Sequence, residues 1–314
     1  MSRADTGPAA LPLGPGREFD VVRGFLRRWG AAAAGIGGDC AELAVPAGQR
    51  LVVSTDTSVE EVHFRRAWLS PREVGYRAAA AALSDLAAAA AQPLGLLLAL
   101  TLPDAWRADA DTIADGVAEA AALAGAPIVG GDLSRGGELS LTVTVLGSAA
   151  RPLSRAGARP GDALYVTGAL GGPGAAVRAW LAGGEPHAAH RARFAHPVPR
   201  LAEARWLREH GATAAVDLSD GLAADAAHVA AASDVGLWLD VDAVPRVAGV
   251  SMEDALAGGE EYELLVAAPP VLDAAAFART FGVALTRVGA VRAEGAPGVA
   301  ARVDLPHGHD HFSR

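Results

Sequence analysis

The stretch LVVSTDTSVEEVHF, residues 51–64, begins as an apolar strand and ends in charged residues. Its first three residues favour a β-strand because they are apolar and two of them are β-branched. Four oxygen-bearing side chains follow without a turn glycine: Ser54, Thr55, Asp56 and Thr57. In α/β folds ligands bind at the carboxyl ends of strands. The stretch therefore predicts a strand of an α/β fold whose end offers oxygen ligands.

Composition limits the possible partners and compartments of the chain. It has 314 residues, 51% of them hydrophobic, which is enough for a sizeable core and for about two ordinary domains. The formal net charge of −9 argues against nucleic acid or an anionic membrane surface as the main partner. Cys40 is the single cysteine, so an intrachain disulfide is excluded and a reducing cytoplasm is expected.

Strand and helix signals alternate and predict an α/β (α+β) chain of two domains. Residues 1–17 lack the apolar segment of a signal peptide and are predicted as a flexible arm. The first domain is predicted at 18–150, with a short strand at 41–45, and the second domain at 151–314. SRAGARPGD at 154–162 marks the junction because glycine, arginine and proline dominate it.

Two apolar segments are assigned to a helix and to strands of the first domain. Residues 86–102, LAAAAAQPLGLLLALTL, are interrupted by Gln92-Pro93, so we predict a helix end followed by a strand and not a membrane span. Residues 138–147, ELSLTVTVLG, alternate as a half-buried strand does. They place one apolar stripe on a single face, and we expect pairing with a second copy to bury it: Leu139, Leu141, Val143 and Val145.

All 27 basic residues are arginine, because the chain contains no lysine. A Walker-A loop and the protein-kinase site both place a lysine on the phosphates of the nucleotide, so both designs are excluded. Schiff-base chemistry, which also needs a lysine, is excluded for the same reason.

Six aspartates lie at apolar junctions: Asp39, Asp56, Asp85, Asp132, Asp217 and Asp220. Each alone is more typical of a cap or a turn. Asp85 is the exception, since it lies inside an alanine-rich helix, where aspartate is a poor helix former. Clustered carboxylates would repel one another unless hard cations lay between them. Together they predict a Mg²⁺ site, and Mg²⁺ in turn binds the oxygens of a polyphosphate.

Three weaker motifs have ordinary interpretations. DAAH at 225–228 is typical of a solvated helix face. The glycine-rich residues 171–174 lack the spacing of a dinucleotide fingerprint and are predicted as a turn. Glu260 and Glu261 lie just before a strand, either as edge charges or as substrate contacts.

Taken in order, the motifs resemble those of the thiamine-monophosphate kinase family, within the AIR-synthetase-like superfamily. They are REFD, GIGGDCA, STDTSVEEVHF, ALSDLAA, IVGGD, SRAGARPGD, VDLSDGL and GGEEYEL. The resemblance implies two α/β domains, the first of which pairs in a homodimer. It also implies transfer of the γ-phosphoryl group of ATP to thiamine monophosphate, with several Mg²⁺ ions.

The resemblance also implies roles for individual residues. The metal-binding positions are Asp39, Ser54, Thr55, Asp56, Asp85, Asp132, Asp217 and Asp220. Among them, Asp85, Asp132 and Asp217 are further expected to be catalytic. The nucleotide-binding positions are Gly131, Asp132, Arg155 and Ser219. His63 and Glu260 are expected to contact thiamine phosphate.

Three positions depart from the family pattern. Gly38 stands where the family has a second aspartate beside Asp39, and Glu261 replaces an aspartate. Pro306 or its neighbours stand where the family places an aromatic ring on the substrate. Two alternatives stay open: another ATP-dependent enzyme of the AIR-synthetase-like superfamily, and a non-catalytic protein that binds Mg²⁺ and nucleotide.

Overall fold

The computed structural model describes residue 13 and residues 15–293, which form two compact units. The first unit is Met1–Leu86 with Gln92–Ala150, and the second is Ala87–Ala91 with Arg151–Arg314. Pro306 lies outside the described residues. Within the described part of the chain, every helix is too short or too polar to cross a membrane.

The helices and strands alternate along the chain. The helices are α1 Arg17–Trp29, α2 Pro71–Ala88, α3 Ala110–Ala124, α4 Gly172–Leu181, α5 Ala188–Ala195, α6 Leu201–Glu209, α7 Leu222–Ser233, α8 Met252–Ala257 and α9 Ala274–Phe281. The strands are β1 Arg50–Val59, β2 Gln92–Thr101, β3 Ile128–Ser134, β4 Ser140–Ala149, β5 Ala163–Thr167, β6 Ala214–Asp217, β7 Gly236–Leu239, β8 Leu264–Ala268 and β9 Leu285–Arg292. The predicted α/β class is confirmed.

The first unit contains a four-stranded sheet in the order β1-β4-β2-β3, in which only β2 and β3 run parallel. Helices α2 and α3 cross at very short range. A Cβ atom on Gly75 would lie 2.0 Å from the Ile113 carbonyl oxygen, and one on Gly116 would lie 1.9 Å from the Arg72 carbonyl oxygen. These glycines and the many alanines of α2 therefore let the two backbones touch, which fixes the position of α2 in this unit.

Two predictions for the first unit are wrong. Residues 41–45 form no strand, and four of the five are exposed, because no described strand pairs with them. The stripe of β4 that we expected at a dimer interface is already fully buried in the single chain: Leu139, Leu141, Val143 and Val145. The opposite face of the sheet is the open one, since Leu51 and Val53 of β1 are 50% and 54% exposed.

The second unit contains a five-stranded antiparallel sheet in the order β6-β8-β5-β9-β7. Strands β5 and β8 are buried along their whole length, so they form the centre of the apolar core. The last residue of β6, Asp217, pairs with the first residue of β8, Leu264. This register brings the loop that follows β6 next to the segment that precedes β8, and both carry predicted site residues.

Candidate functional site

In the first unit, β1 and α2 bring two predicted site residues into contact. The Ser54 hydroxyl donates a hydrogen bond of 2.5 Å to Oδ2 of Asp85. Asp85 is the one partly exposed residue in a run of buried helix from 78 to 87, so its carboxylate reaches solvent from an otherwise closed helix. Asp56 lies on the same side of β1 as Ser54, because side chains alternate along a strand. The site therefore has carboxylate and hydroxyl oxygens on one face of the sheet.

Thr55 does not join this group through its side chain. It lies between Ser54 and Asp56, so it points to the opposite face, where its hydroxyl is 3.0 Å from the hydroxyl of Thr144. The side chains of residues 54–57 are therefore divided between the two faces of the sheet.

Gly131 and Asp132 are neighbours on strand β3 and have different roles. A Cβ atom on Gly131 would lie 1.9 Å from the Leu98 carbonyl oxygen, so the close approach of β2 requires glycine here. The Asp132 carboxylate is exposed and accepts a hydrogen bond of 2.9 Å from the Ser134 hydroxyl. Gly131 thus brings the backbones together, while Asp132 offers the oxygens.

Two further predicted residues of the first unit lie in loops. Asp39 is exposed, in the turn that contains the bridge between Ile36 and Gly38. His63 is half-buried, and its Nδ1 accepts the backbone N–H of Val59 at 3.1 Å. This bond fixes the orientation of the His63 ring through Nδ1.

In the second unit, the structure adds Asp225 to the predicted Asp217 and Asp220. Asp225 is completely buried, its Oδ2 accepts the backbone N–H of Asp220 at 3.2 Å, and its Oδ1 has no hydrogen-bond partner. Burial, with the charges of Asp217 and Asp220, raises the pKa of Asp225 to about 8, while the hydrogen bond from the Asp220 amide and the charge of Arg155 act in the opposite direction. The expectation of a solvated face at 225–228 is wrong at Asp225 and holds at His228, which is exposed.

Sequence reasoning missed Asp225 although a signal was present. Leu222, Ala226 and Val229 are buried and follow the spacing of one helix face, and Asp225 lies on that face. A carboxylate within an apolar stripe is rarely a solvated residue. The pattern therefore indicated a buried acid.

The loop after β6 is hydrogen-bonded to the segment Gly259–Glu263, which we call the acidic segment. The Glu260 amide donates to the Ser219 carbonyl at 2.8 Å, and the Glu261 and Tyr262 amides donate to the Leu218 carbonyl at 3.0 and 2.9 Å. A Cβ atom on Gly259 would lie 2.6 Å from the Ser219 carbonyl oxygen. Ser219 and Glu260, which we predicted to bind different ligands, are therefore direct neighbours.

Glu260 and Glu261 point in different directions. Glu260 is half-buried, and its carboxylate accepts a hydrogen bond of 2.7 Å from the Tyr262 hydroxyl. The Glu261 side chain is 2% exposed and is held by Arg193 and by the Gly171 amide. Residues 171–174 are fully buried at the start of α4, so their interpretation as an ordinary turn is wrong.

The acidic residues are spread along both units. Within the described part of the chain, no three His, Cys, Asp or Glu side chains lie close enough together to hold a metal ion by themselves. Mg²⁺ usually takes one or two carboxylates and completes its shell with water and substrate phosphates. Carboxylates, hydroxyls and carbonyls, without thiolate, are donors that suit this ion. The residues present therefore fit Mg²⁺ that is bound together with a phosphate ligand.

The family of the chain follows from sequence and structure comparisons. Residues 37–149 match the model of the AIR synthase related protein N-terminal domain, and residues 159–302 match that of the C-terminal domain. Thiamine-monophosphate kinase of Salmonella typhimurium is 38% identical over 94% of this chain and 98% of its own length.

Solved structures give the same family. Thiamine-monophosphate kinase from Stenotrophomonas maltophilia K279a has a TM-score of 0.77 and 34% identity, over 86% of this chain and 93% of that chain. AaThiL complexed with AMPPCP and TMP has a TM-score of 0.74 and 27% identity, over 94% of this chain and 96% of that chain. By its two domain matches and its near full-length relatives, the chain belongs to the thiamine-monophosphate kinase family of AIR synthase related proteins.

Proposed function

We propose that this chain transfers the γ-phosphoryl group of ATP to thiamine monophosphate and forms thiamine diphosphate and ADP. The observation that carries the proposal is the 38% identity to a thiamine-monophosphate kinase over 94% of the chain. The AaThiL structure, whose fold extends over 94% of this chain, holds AMPPCP and TMP, which correspond to an ATP analogue and the acceptor.

The chemistry of the reactants agrees with the side chains present. The acceptor is a phosphate monoester with a second pKa of about 6, so it is mostly dianionic at neutral pH and needs no general base. The main obstacle is repulsion between two anionic reactants. When bound, Mg²⁺ supplies the positive charge that offsets this repulsion. A chain without lysine that offers carboxylates and hydroxyls is suited to holding such ions.

We assign the site residues by unit. In the first unit, the proposed Mg²⁺ ligands are Asp39, Ser54, Asp56, Asp85, Asp132 and the carbonyl of Thr55. In the second unit, they are Asp217 and Asp220. Gly131, Asp132, Arg155 and Ser219 are proposed for the nucleotide, and His63 and Glu260 for thiamine monophosphate. The hydrogen bond between Ser54 and Asp85 supports the first group, and the shared electrostatics of Asp217, Asp220 and Asp225 support the second.

We also propose that two copies pair through the open face of the first unit. Leu51 and Val53 are half exposed on β1, and the hydroxyl pairs Thr55–Thr144 and Thr57–Thr142 lie beside them on the same face. Exposed apolar area on an edge strand favours burial by a partner. The domain boundaries that we propose are 18–150 and 151–314, and the single cysteine together with ATP as co-substrate supports the cytoplasm as the compartment.

The test measures ADP release from ATP with and without thiamine monophosphate, and identifies the product by mass spectrometry. Thiamine-monophosphate-dependent ADP release with thiamine diphosphate as product supports the kinase. ATP turnover that ignores thiamine monophosphate would favour another AIR-synthetase-like enzyme, and absence of turnover with intact nucleotide binding would favour a binding protein. Calorimetry of AMPPCP with Mg²⁺ and with EDTA tests the metal: equal affinity in both would contradict a Mg²⁺ bridge.

A further inference from the structure

We infer that Arg193 and Glu261 are positioning residues that hold the acidic segment in the conformation in which Glu260 meets thiamine monophosphate. The inference rests on the proposed function and deepens it. Neither residue is expected to touch the substrate itself, because the Glu261 side chain is 2% exposed and Arg193 is directed toward it.

The backbone of the acidic segment has an unusual conformation that needs support from contacts outside the segment. Glu260 and Tyr262 have φ angles of 60° and 53°, and Gly259 has a φ of 60°. Residues other than glycine rarely adopt this left-handed backbone conformation. Where they do, the surrounding structure holds them in it. Two of them within three residues therefore require external anchors.

Glu261, which lies between the two strained residues, is the first anchor. One carboxylate oxygen accepts the Gly171 amide at the start of α4, and the other is 3.5 Å from Nη2 of Arg193. The same Nη2 donates to the Ala169 carbonyl at 2.6 Å and lies 3.3 Å from the Glu263 carboxylate. Arg193 thus ties Glu261 to residues 169–171, which are distant from it in sequence.

Glu263 is the second anchor, at the end of the segment. Arg200 binds its carboxylate through two hydrogen bonds of 2.8 and 2.6 Å, and the Thr167 hydroxyl adds a third of 2.7 Å. This end stays fixed when Arg193 is changed, because Arg200 still neutralises Glu263. Loss of Arg193 therefore frees Glu261 selectively, together with the Glu260 beside it.

The glutamate at 261 also fits the anchor better than a shorter acid. Its carboxylate must reach both the Gly171 amide and the Arg193 guanidinium from a backbone that is held by the Leu218 carbonyl. Glutamine has the same length and keeps an acceptor oxygen for Gly171, but it places an N–H₂ donor where a carboxylate oxygen faces Arg193, whereas alanine keeps neither contact. The pair Glu261→Gln and Glu261→Ala therefore separates the contact with Gly171 from the contact with Arg193.

The experiment measures KM for thiamine monophosphate, KM for ATP and kcat for five proteins. They are the wild type, Arg193→Met, Glu261→Gln, Glu261→Ala and the control Thr213→Val. The Thr213 hydroxyl donates a hydrogen bond of 2.7 Å to the carboxylate of the buried Asp162. Thr213 lies just before β6, at the opposite end of that strand from Asp217. Its replacement by valine therefore weakens the same unit at a place away from the acidic segment.

We expect Arg193→Met and Glu261→Ala to raise KM for thiamine monophosphate by at least about ten-fold, since small misplacements of positioning groups have effects of this size or larger. Glu261→Gln should raise KM for thiamine monophosphate less than Glu261→Ala does, because it keeps the contact with Gly171 and loses the one with Arg193. Thr213→Val should stay near the wild-type value, and KM for ATP should change little throughout. A wild-type KM for thiamine monophosphate in Glu261→Ala would overturn the inference, because the acidic segment would then keep its position without this side chain. An unchanged KM in Arg193→Met would also overturn it.

Hydrogen–deuterium exchange separates failure of this inference from failure of the proposed function. Peptides that contain residues 259–263 should exchange faster in Arg193→Met than in Thr213→Val, whichever reaction the protein catalyses. Faster exchange in a protein inactive toward thiamine monophosphate would leave the anchor standing and remove the proposed substrate. Equal exchange in the two variants would remove the anchor.

Discussion

Asp85→Asn is the substitution that best separates structure from chemistry in the first unit. Asparagine has nearly the same shape, so the Ser54 hydroxyl can still donate to its amide oxygen in place of the present 2.5 Å bond to Oδ2. A hydrogen bond to a carboxylate is worth about 1 kcal/mol more than one to a neutral group. Helix propensity differs little between the two residues. We therefore expect a loss of about 1 kcal/mol in the free energy of unfolding.

The effect on the reaction should be far larger. If the Asp85 carboxylate binds Mg²⁺, its loss should lower kcat for ADP formation with thiamine monophosphate by about 100-fold or more, which is about 3 kcal/mol in the activation free energy. The assay couples ADP release to a spectrophotometric readout over a range of Mg²⁺ concentrations. A metal ligand predicts a raised requirement for Mg²⁺ in addition to the lower kcat.

Ser84→Ala is the matched control for this experiment. Ser84 is the neighbour of Asp85 on α2, is fully buried, and its hydroxyl has no hydrogen-bond partner. Its replacement by alanine should leave kcat unchanged and should not lower stability, because an unsatisfied buried hydroxyl is removed. If Asp85→Asn retained kcat within about three-fold of the wild type, Asp85 would be a structural residue and the reasoning would be refuted.

Three further predictions concern stability and assembly. Burial raises the pKa of Glu261 to about 8 from its ordinary 4.5, so the folded protein keeps a proton that the unfolded chain has lost. Glu261 should therefore lower the unfolding free energy by about 1.4 kcal/mol per pH unit across that window, and Asp225, with a similar pKa, should add to this slope. In urea titrations at several pH values, Glu261→Gln should remove the contribution of Glu261 and keep that of Asp225. Gly131→Ala should lower the free energy of unfolding, measured by thermal unfolding, by about 2–4 kcal/mol. The reason is that the added Cβ would lie 1.9 Å from a carbonyl oxygen. Gly137→Ala, which has open space around the added Cβ, should leave the free energy of unfolding unchanged. Light scattering at micromolar concentration should give the mass of a dimer for the wild type and for Val271→Arg, and that of a monomer for Val53→Arg; a monomeric wild type would contradict pairing.

Much of the fold could be predicted because the strongest patterns are local. The alanine-rich helix α2, the alternation of β4 and the apolar strands β5 and β8 follow from periodicity alone. The contact between β1 and α2 that joins Ser54 to Asp85 is not local. It joins residues 31 positions apart on a strand and a helix, which no pattern within either element reveals. The sequence therefore predicted the oxygen-bearing ligand residues, but not which of their side chains are in contact.

The buried ion pairs of the second unit lay outside prediction for a related reason. Arg193 lies 68 positions before Glu261, and in the sequence it reads as one basic residue among several. Its role depends on the antiparallel pairing that places the acidic segment beside the loop after β6. Only the folded register brings these charges together, so no spacing rule along the chain could have found them.

Two stretches of predicted site residues, one in each unit, alternate between two tasks, and this alternation limits what a sequence motif can mean. In STDT, Ser54 faces Asp85, and Thr55 faces the opposite side of the sheet. In GGEEYEL, Glu260 is accessible, and Glu261 is buried against Arg193. Neighbouring side chains point apart in STDT because the backbone is extended, and in GGEEYEL where the backbone of Glu260 is left-handed, so a run of consecutive polar residues need not bind one ligand through all its side chains. Replacement of the inward residue should change stability or position, and replacement of the outward residue should change binding, even where the two are chemically alike.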